Sequence, residues 1–219
     1  MKTHLKRSGI TLTAFALVTT GLIAITNELT APRIKSQEQQ QLQKILGSIV
    51  PPALHDNDIE HDCTLVTDAN LLGDDSPKTV YRARLQGEPV ALVLQTMTPD
   101  GYSGDIDLLV GVNLAGKVTG VRVLKHQETP GLGDKIDIRI SDWILSFDGK
   151  GMDNGEQKNW AVKKDGGQFD QFTGATITPR AMVKAVKNAL LLASEQQQTL
   201  FAAPNQCQPH NSDSGDHHE

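Results

Sequence analysis

Cysteine is almost absent, with only Cys63 and Cys207 among 219 residues. Two thiols so far apart give no metal-ligand spacing, which excludes a zinc finger or ribbon. Two readings remain for them: a disulfide, in a compartment where such a pair oxidises and stays oxidised, or two free structural thiols. An internal repeat is missing too, and so is the G-x-G-x-x-G fingerprint of dinucleotide-binding folds. There is no basic excess: 21 Lys and Arg stand against 26 Asp and Glu, a formal net charge of −5. Such a balance indicates no nucleic-acid partner and argues only for solubility. Charge of either sign is wholly lacking from Ser8 to Asn27.

That uncharged stretch is strongly apolar, with Ile10, Leu12, Phe15, Leu17, Val18, Leu22, Ile23 and Ile25. About 20 residues span a bilayer as a helix, so 8–27 reads as a transmembrane segment. Lys2, Lys6 and Arg7 precede it and predict residues 1–7 in the cytoplasm and the remainder across the membrane, although Arg33 and Lys35 follow closely. A cleaved signal peptide is the competing reading; no small-x-small cleavage site ends the run. Residues 28–50 read as a juxtamembrane helix, with Leu42, Ile45, Leu46 and Ile49 on one face, broken by Pro51-Pro52. A domain is then expected over 51–203, and apolar content of 38% is enough for one real core. Residues 204–219, rich in Asn, His, Ser, Asp and Gly, read as a disordered tail whose His210, His217 and His218 fix no metal geometry.

Within the domain, short apolar or alternating runs occur at Cys63–Val66, Val80–Ala83, Val90–Leu94, Ile106–Val110 and Val118–Leu124. Gln86-Gly87, Pro99-Asp100-Gly101 and Ala115-Gly116 separate the later ones, the pattern of an antiparallel meander. Asp137–Phe147 has helical spacing and places Trp143 in the core, Trp160-Ala161-Val162 reads as a short strand, and a last helix runs from Thr178 to Gln196–Gln198. The expected fold class is α+β: an antiparallel sheet with packed helices, preceded by one transmembrane helix.

The stretch Asp170-Gln171-Phe172-Thr173-Gly174-Ala175-Thr176-Ile177-Thr178-Pro179-Arg180 carries the chemistry. Pro179 suits the first helical position and Thr178 the N-cap. Thr176 then lies just outside a helix N-terminus, where free N–H groups and the positive dipole end favour an anion. Gly174 and Ala175 let a bulky group approach the backbone, and Arg180 offers a charge-assisted contact to a phosphate. A phosphate-bearing ligand near Thr176 is one reading; an ordinary cap after a Gly turn is the other.

Asp170 to Thr176, as D-x-x-[S/T]-G-A-T, resembles the flavinylation motif of the FMN-binding domain family of Rnf- and Nqr-type respiratory complexes. His126-Gln127-Glu128-Thr129-Pro130-Gly131-Leu132-Gly133-Asp134-Lys135-Ile136 resembles that family's E-T-P-G-L-G segment. The likeness runs from the membrane segment through the last helix and is closer to the Rnf (Rsx) type than to the sodium-pumping quinone reductase. It implies FMN held covalently through a phosphoester to the Thr176 hydroxyl. Asp170, Thr173, Gly174 and Ala175 would give the recognition context, Thr178 and Arg180 would flank it, and Glu128, Thr129, Leu132 and Gly133 would be contacts of a second tier. Tyr102 either lies near the flavin or packs on its own turn, and His126 reads as structural.

The resemblance further implies a redox subunit that is not a complete enzyme alone. Its partners would be the other members of the complex and, during maturation, a flavin transferase using FAD. The complex would couple electron flow between NADH and ferredoxin to ion movement; enteric relatives also help keep a redox-sensing transcription factor reduced. The location implied is the bacterial inner membrane, with the FMN domain periplasmic. The alternative is an anchored, non-redox scaffold or binding module.

Overall fold

The computed structural model describes residues 2–152 and 156–207. It contains α1 (Lys2–Ile49), β1 (Cys63–Val66), α2 (Ala69–Leu72), β2 (Lys78–Leu85), β3 (Glu88–Thr98), β4 (Ile106–Asn113), β5 (Val118–Lys125) and α3 (Ile177–Ala202), with short 3-10 turns between. The chain divides into two compact units, Met1–Lys44 and Ile45–Glu219.

The first unit is helical. Its Gly9–Ala31 segment has a mean hydropathy of 1.8 and none of it is buried, so it is long and apolar enough to cross a membrane. The anticipated juxtamembrane helix is not a separate element, because α1 runs unbroken to Ile49 and ends just before Pro51-Pro52.

The second unit is built on a five-stranded antiparallel sheet in the order β1-β2-β3-β4-β5, the meander expected from the apolar runs. Alternation along each strand sends Leu92, Leu94, Leu108, Val110 and Val121 to one face, where they join Met182, Val186, Ala189 and Leu190 of α3 in one apolar core. The opposite face has a dent. Gly111 of β4 pairs with Gly120 of β5, and Ile49 fills the space their missing side chains leave. A Cβ on Gly111 would stand 2.2 Å from Ile49 Cγ2, which no packing tolerates.

The far end of α3 is held by two arginines of β2. Arg82, 3% exposed, donates through Nη1 to the Leu200 and Ala203 carbonyls at 3.3 and 2.5 Å, and Arg84 Nη2 donates to the Phe201 carbonyl at 2.9 Å. These carbonyls are the orphan acceptors of a helix end, so cations there satisfy both the hydrogen bonds and the dipole. Asp62 accepts from Nε of both arginines, at 2.7 and 3.0 Å.

The structure corrects or decides the sequence expectations at five places. Cys63 and Cys207 are joined in a disulfide with their Cα atoms 5.3 Å apart, which decides between the two readings. The anticipated tail starts too early: Gln206 N–H donates to the Cys63 carbonyl at 2.9 Å, and its side-chain carbonyl accepts from Leu65 N–H at 2.7 Å. Residues 204–207 are thus fastened to β1, whereas 208–219, with His210, His217 and His218, lie outside the described residues.

The helix expected over Asp137–Phe147 shrinks to a 3-10 segment, Asp142–Phe147. Asp137 turns its carboxylate onto Arg139 N–H at 2.9 Å, and Ser141 is extended, with its hydroxyl accepting from Trp143 N–H. Both side chains compete with helical bonding for the backbone. Finally, Trp160-Ala161-Val162 makes no strand beyond a single bridge from Val162 to Phe169, because Gly166 turns the chain at φ 84° and Gly167 presses on Ala161. The last helix also extends further than expected, to Ala202.

Candidate functional site

The two sequence motifs meet at the N-terminal end of α3. Before the helix, Phe172 to Ala175 form a tight turn, closed by Ala175 N–H donating to the Phe172 carbonyl at 3.1 Å. Gly174 sits at φ 81°, the left-handed conformation that such a turn demands at its third residue. The helix begins at Ile177, two positions earlier than Thr178 as N-cap allows, so the N-cap is Thr176. Thr178, the expected cap, is fully buried in the first turn, and its hydroxyl donates to the Glu128 carboxylate. A buried carboxylate claims that hydroxyl, and Pro179 at the third helical position still costs no intrahelical bond.

This register leaves Thr176 unusual for a cap. Its side chain makes no capping bond, and among the described residues its hydroxyl has no hydrogen-bond partner. The first helical hydrogen bond runs from Arg180 N–H to the Thr176 carbonyl at 3.3 Å. The N–H groups of Ile177 and Thr178 find no acceptor among the described residues. They sit at the positive end of a helix of 26 residues.

The second motif packs beneath the first. Glu128 is 5% exposed and accepts from Ser103 N–H at 3.0 Å as well as from Thr178. One carboxylate therefore ties the β3–β4 loop, the loop after β5 and the start of α3. Gly133 is required beside it, since a Cβ there would lie 2.7 Å from Glu128 Oε2 and 2.9 Å from Thr178 Oγ1. The Thr129 carbonyl closes the loop by accepting from the N–H groups of Leu132 and Gly133, both at 3.1 Å. His126 has a supporting part: its Nδ1 accepts from Glu128 N–H at 3.2 Å, and its Nε2 is 3.9 Å from Asp137.

Between the motifs lies a cleft of about 270 Å³. Glu128, Thr129, Leu132 and Gly133 line one side; Gly174, Ala175, Thr176 and Thr178 line the other. Eight of the anticipated residues, drawn from both motifs, are thus brought together at one cleft. Two further residues complete the lining. Tyr102 reaches the cleft from the β3–β4 loop with 68% of its surface exposed. Ile177 was not singled out in the sequence; its only signal was its place directly after Thr176.

Three anticipated residues stand outside the cleft. Arg180 is exposed and forms two 2.6 Å bonds to Asp165. That pairing raises the Arg180 pKa and lowers the Asp165 pKa. Asp170 pairs with Lys163 at 2.6 Å, its carbonyl accepts from Trp143 Nε1 at 2.7 Å, and Thr173 is exposed on the turn. Trp143 is half-buried, with its edge on Phe172 and Phe147 at centroid distances of 5.0 and 5.3 Å, so it clamps the motif's loop from below. Lys184 likewise pairs with Asp100 at 2.7 Å.

The donor set suits a phosphorylated ligand. Two free backbone N–H groups, a helix dipole and an unengaged hydroxyl converge at Thr176, while Gly133 and Gly174 withhold side chains where the two loops face each other. Leu132, Tyr102 and Ile177 give apolar surface for a flat group.

Comparison with known proteins agrees with this geometry. The chain matches the model of an FMN-binding domain over residues 101–191 and that of an RnfG N-terminal region over residues 1–49. It is 50% identical over 208 residues to the G subunit of the ion-translocating oxidoreductase complex from Shewanella baltica, covering 95% of this chain and 98% of that one. The protein of the same description from Pseudoalteromonas atlantica is 52% identical over 207 residues, covering 94% and 96%. That from Vibrio cholerae is 51% identical over 208 residues, covering 95% and 99%.

Proposed function

Because the chain belongs to the family of G subunits of the ion-translocating oxidoreductase complex, we propose that it is a membrane-anchored electron-transfer protein carrying FMN on Thr176. The observation that carries this reading is the Thr176 hydroxyl: it stands at the N-cap of α3, makes no capping bond and lines the cleft shared by both motifs. FMN, when bound, supplies one- and two-electron chemistry that no side chain here offers.

The chain's own residues hold and shield that group. The Thr176 oxygen is the acceptor once, during maturation by a flavin transferase. Its bond to phosphorus replaces the phosphoanhydride bond of FAD, AMP leaves, and the hydroxyl proton passes to solvent. The Ile177 and Thr178 N–H groups and the helix dipole would then hold the remaining phosphate charge. Thr173 and Asp170 stand outside the cleft, where a transferase can read them. Leu132 and Tyr102 bound an open mouth, where they would hold the flat group and leave it accessible to a redox partner. The cleft volume of about 270 Å³ supports this, being small against the usual range of ligand sites.

In the same reading the partners are the other members of an Rnf-type complex in the bacterial inner membrane. The complex couples electron transfer between NADH and ferredoxin to ion movement and, in enteric settings, helps keep a redox-sensing transcription factor reduced. The basic residues before Gly9 support a cytoplasmic N-terminus, and the Cys63–Cys207 disulfide supports a periplasmic domain, since such bonds persist in oxidising compartments.

The test is the intact mass, with peptide mapping, of the full chain expressed beside a flavin transferase. A gain of one FMN less one water on the peptide containing Thr176, abolished by Thr176→Ala, is expected. A folded but colourless and unmodified protein, with transferase active on a known substrate, overturns covalent attachment and leaves an anchored scaffold.

A further inference from the structure

We infer that Glu128 is a charge-bearing residue that sets the redox level of the cleft, holding its occupant toward the oxidised form. The inference rests on the proposed flavin site and deepens it. Glu128 and Tyr102 are the only titratable side chains among those that line the cleft. Glu128 is 5% exposed, and both of its carboxylate oxygens accept hydrogen bonds, one from Ser103 N–H at 3.0 Å and one from the Thr178 hydroxyl. An anionic carboxylate accepts both bonds, and neither partner brings a positive charge.

The cations nearby are engaged elsewhere. Lys184 is on Asp100, Lys163 on Asp170, Arg180 on Asp165 and Arg139 on Asp137. His126 meets Glu128 only by accepting from its backbone N–H. Among the described residues, then, no ion pair offsets Glu128. A fixed negative charge out of water interacts strongly over short distances, and it opposes the arrival of electrons in the same cleft. Charge placed beside a redox cofactor is a principal means by which a protein tunes it. Gly101 and Gly133 preserve the arrangement, because a Cβ on either would fall within 2.9 Å of a Glu128 oxygen.

The experiment is spectroelectrochemical titration of the full chain in detergent, flavinylated during expression, for the wild type and three variants. Glu128→Gln is nearly isosteric and removes the charge; its midpoint potential is expected to move to a more positive value. Glu128→Asp keeps the charge and should move it back towards wild type. Thr178→Val loosens the same carboxylate without discharging it, so no positive shift is expected. An unmoved potential in Glu128→Gln, or an equal rise in Thr178→Val, overturns the inference and leaves Glu128 a purely structural clip. If Glu128→Gln does not fold, redox-difference infrared spectra of the wild type serve instead: a carboxylate band that shifts on reduction is expected, and its absence overturns the inference. A protein with no flavin mass on Thr176 sinks the underlying site instead, so the two failures are told apart.

Discussion

Gly111 and Gly120 face each other across β4 and β5, and Ile49 occupies the hollow they leave on the sheet. Gly111 is therefore a steric necessity, and Gly120 a close fit. Gly111→Ala would set a methyl 2.2 Å from Ile49 Cγ2 and equally close to Thr119 Oγ1. Overpacking of this kind costs about 1–3 kcal/mol. Thermal denaturation should show a lowered Tm, with part of the loss recovered in Gly111→Ala combined with Ile49→Ala. A Tm unchanged in the single variant contradicts this packing.

Thr176→Ala should behave differently from an ordinary cap substitution. Removing a capping Thr usually costs about 1 kcal/mol, through the loss of a side-chain bond to the helix N-terminus. Thr176 makes no such bond. Compared without flavin, the variant should therefore lose well under that amount in urea titration, and after expression beside a flavin transferase it should carry no covalent flavin. A full capping loss shows that the hydroxyl serves the helix after all.

The disulfide closes a loop of 144 residues in sequence. Cross-links of this sort contribute roughly 2–4 kcal/mol, chiefly by restricting the unfolded chain. Cys63→Ser with Cys207→Ser should lower the midpoint of urea unfolding accordingly. Reduction of the wild type with a small thiol should lower it to the same place, which separates the cross-link from the side chains themselves.

Asp137 gives a pH dependence of definite sign. Its hydrogen bonds to Arg139, the larger influence, hold its pKa below the usual carboxylate range, against the opposing effect of burial. A depressed folded pKa means stability that is complete above the ordinary value, about 4, and lost as pH falls through the depressed one. Arg139 is largely exposed, so solvent screening keeps the effect modest. Tm measured between neutral and acid pH should fall less steeply in Asp137→Asn than in wild type. Parallel curves would refute the linkage.

Much of this was legible in the sequence where a pattern was local. The five strands announce themselves as short apolar runs between turn residues, and their chain-order pairing follows from those turns. The cleft was legible as two separate motifs, though not the way they interlock. The rule that places proline at the first helical position put Thr178 at the cap; a carboxylate 50 residues upstream displaced it. The segment around Ser141 kept helical spacing while its side chains broke the helix from within. Arg180 looked free to meet a phosphate because Asp165, which binds it, sits in an unremarkable turn. Residues 204–207 looked like the start of a tail, since nothing nearby reveals that β1 receives them.

The order of the strands bears on how the chain reaches this shape. Each pairing in β1-β2-β3-β4-β5 joins neighbours in sequence, so every step closes a short loop and little entropy is spent in advance. A chain emerging N-terminus first can assemble its sheet hairpin by hairpin while α3 is still being made. The links that span the domain, from β2 to the end of α3 and from Gln206 and Cys207 back to β1, must wait for the last helix. The cross-link is then a seal placed on a finished sheet, and not a template for building it.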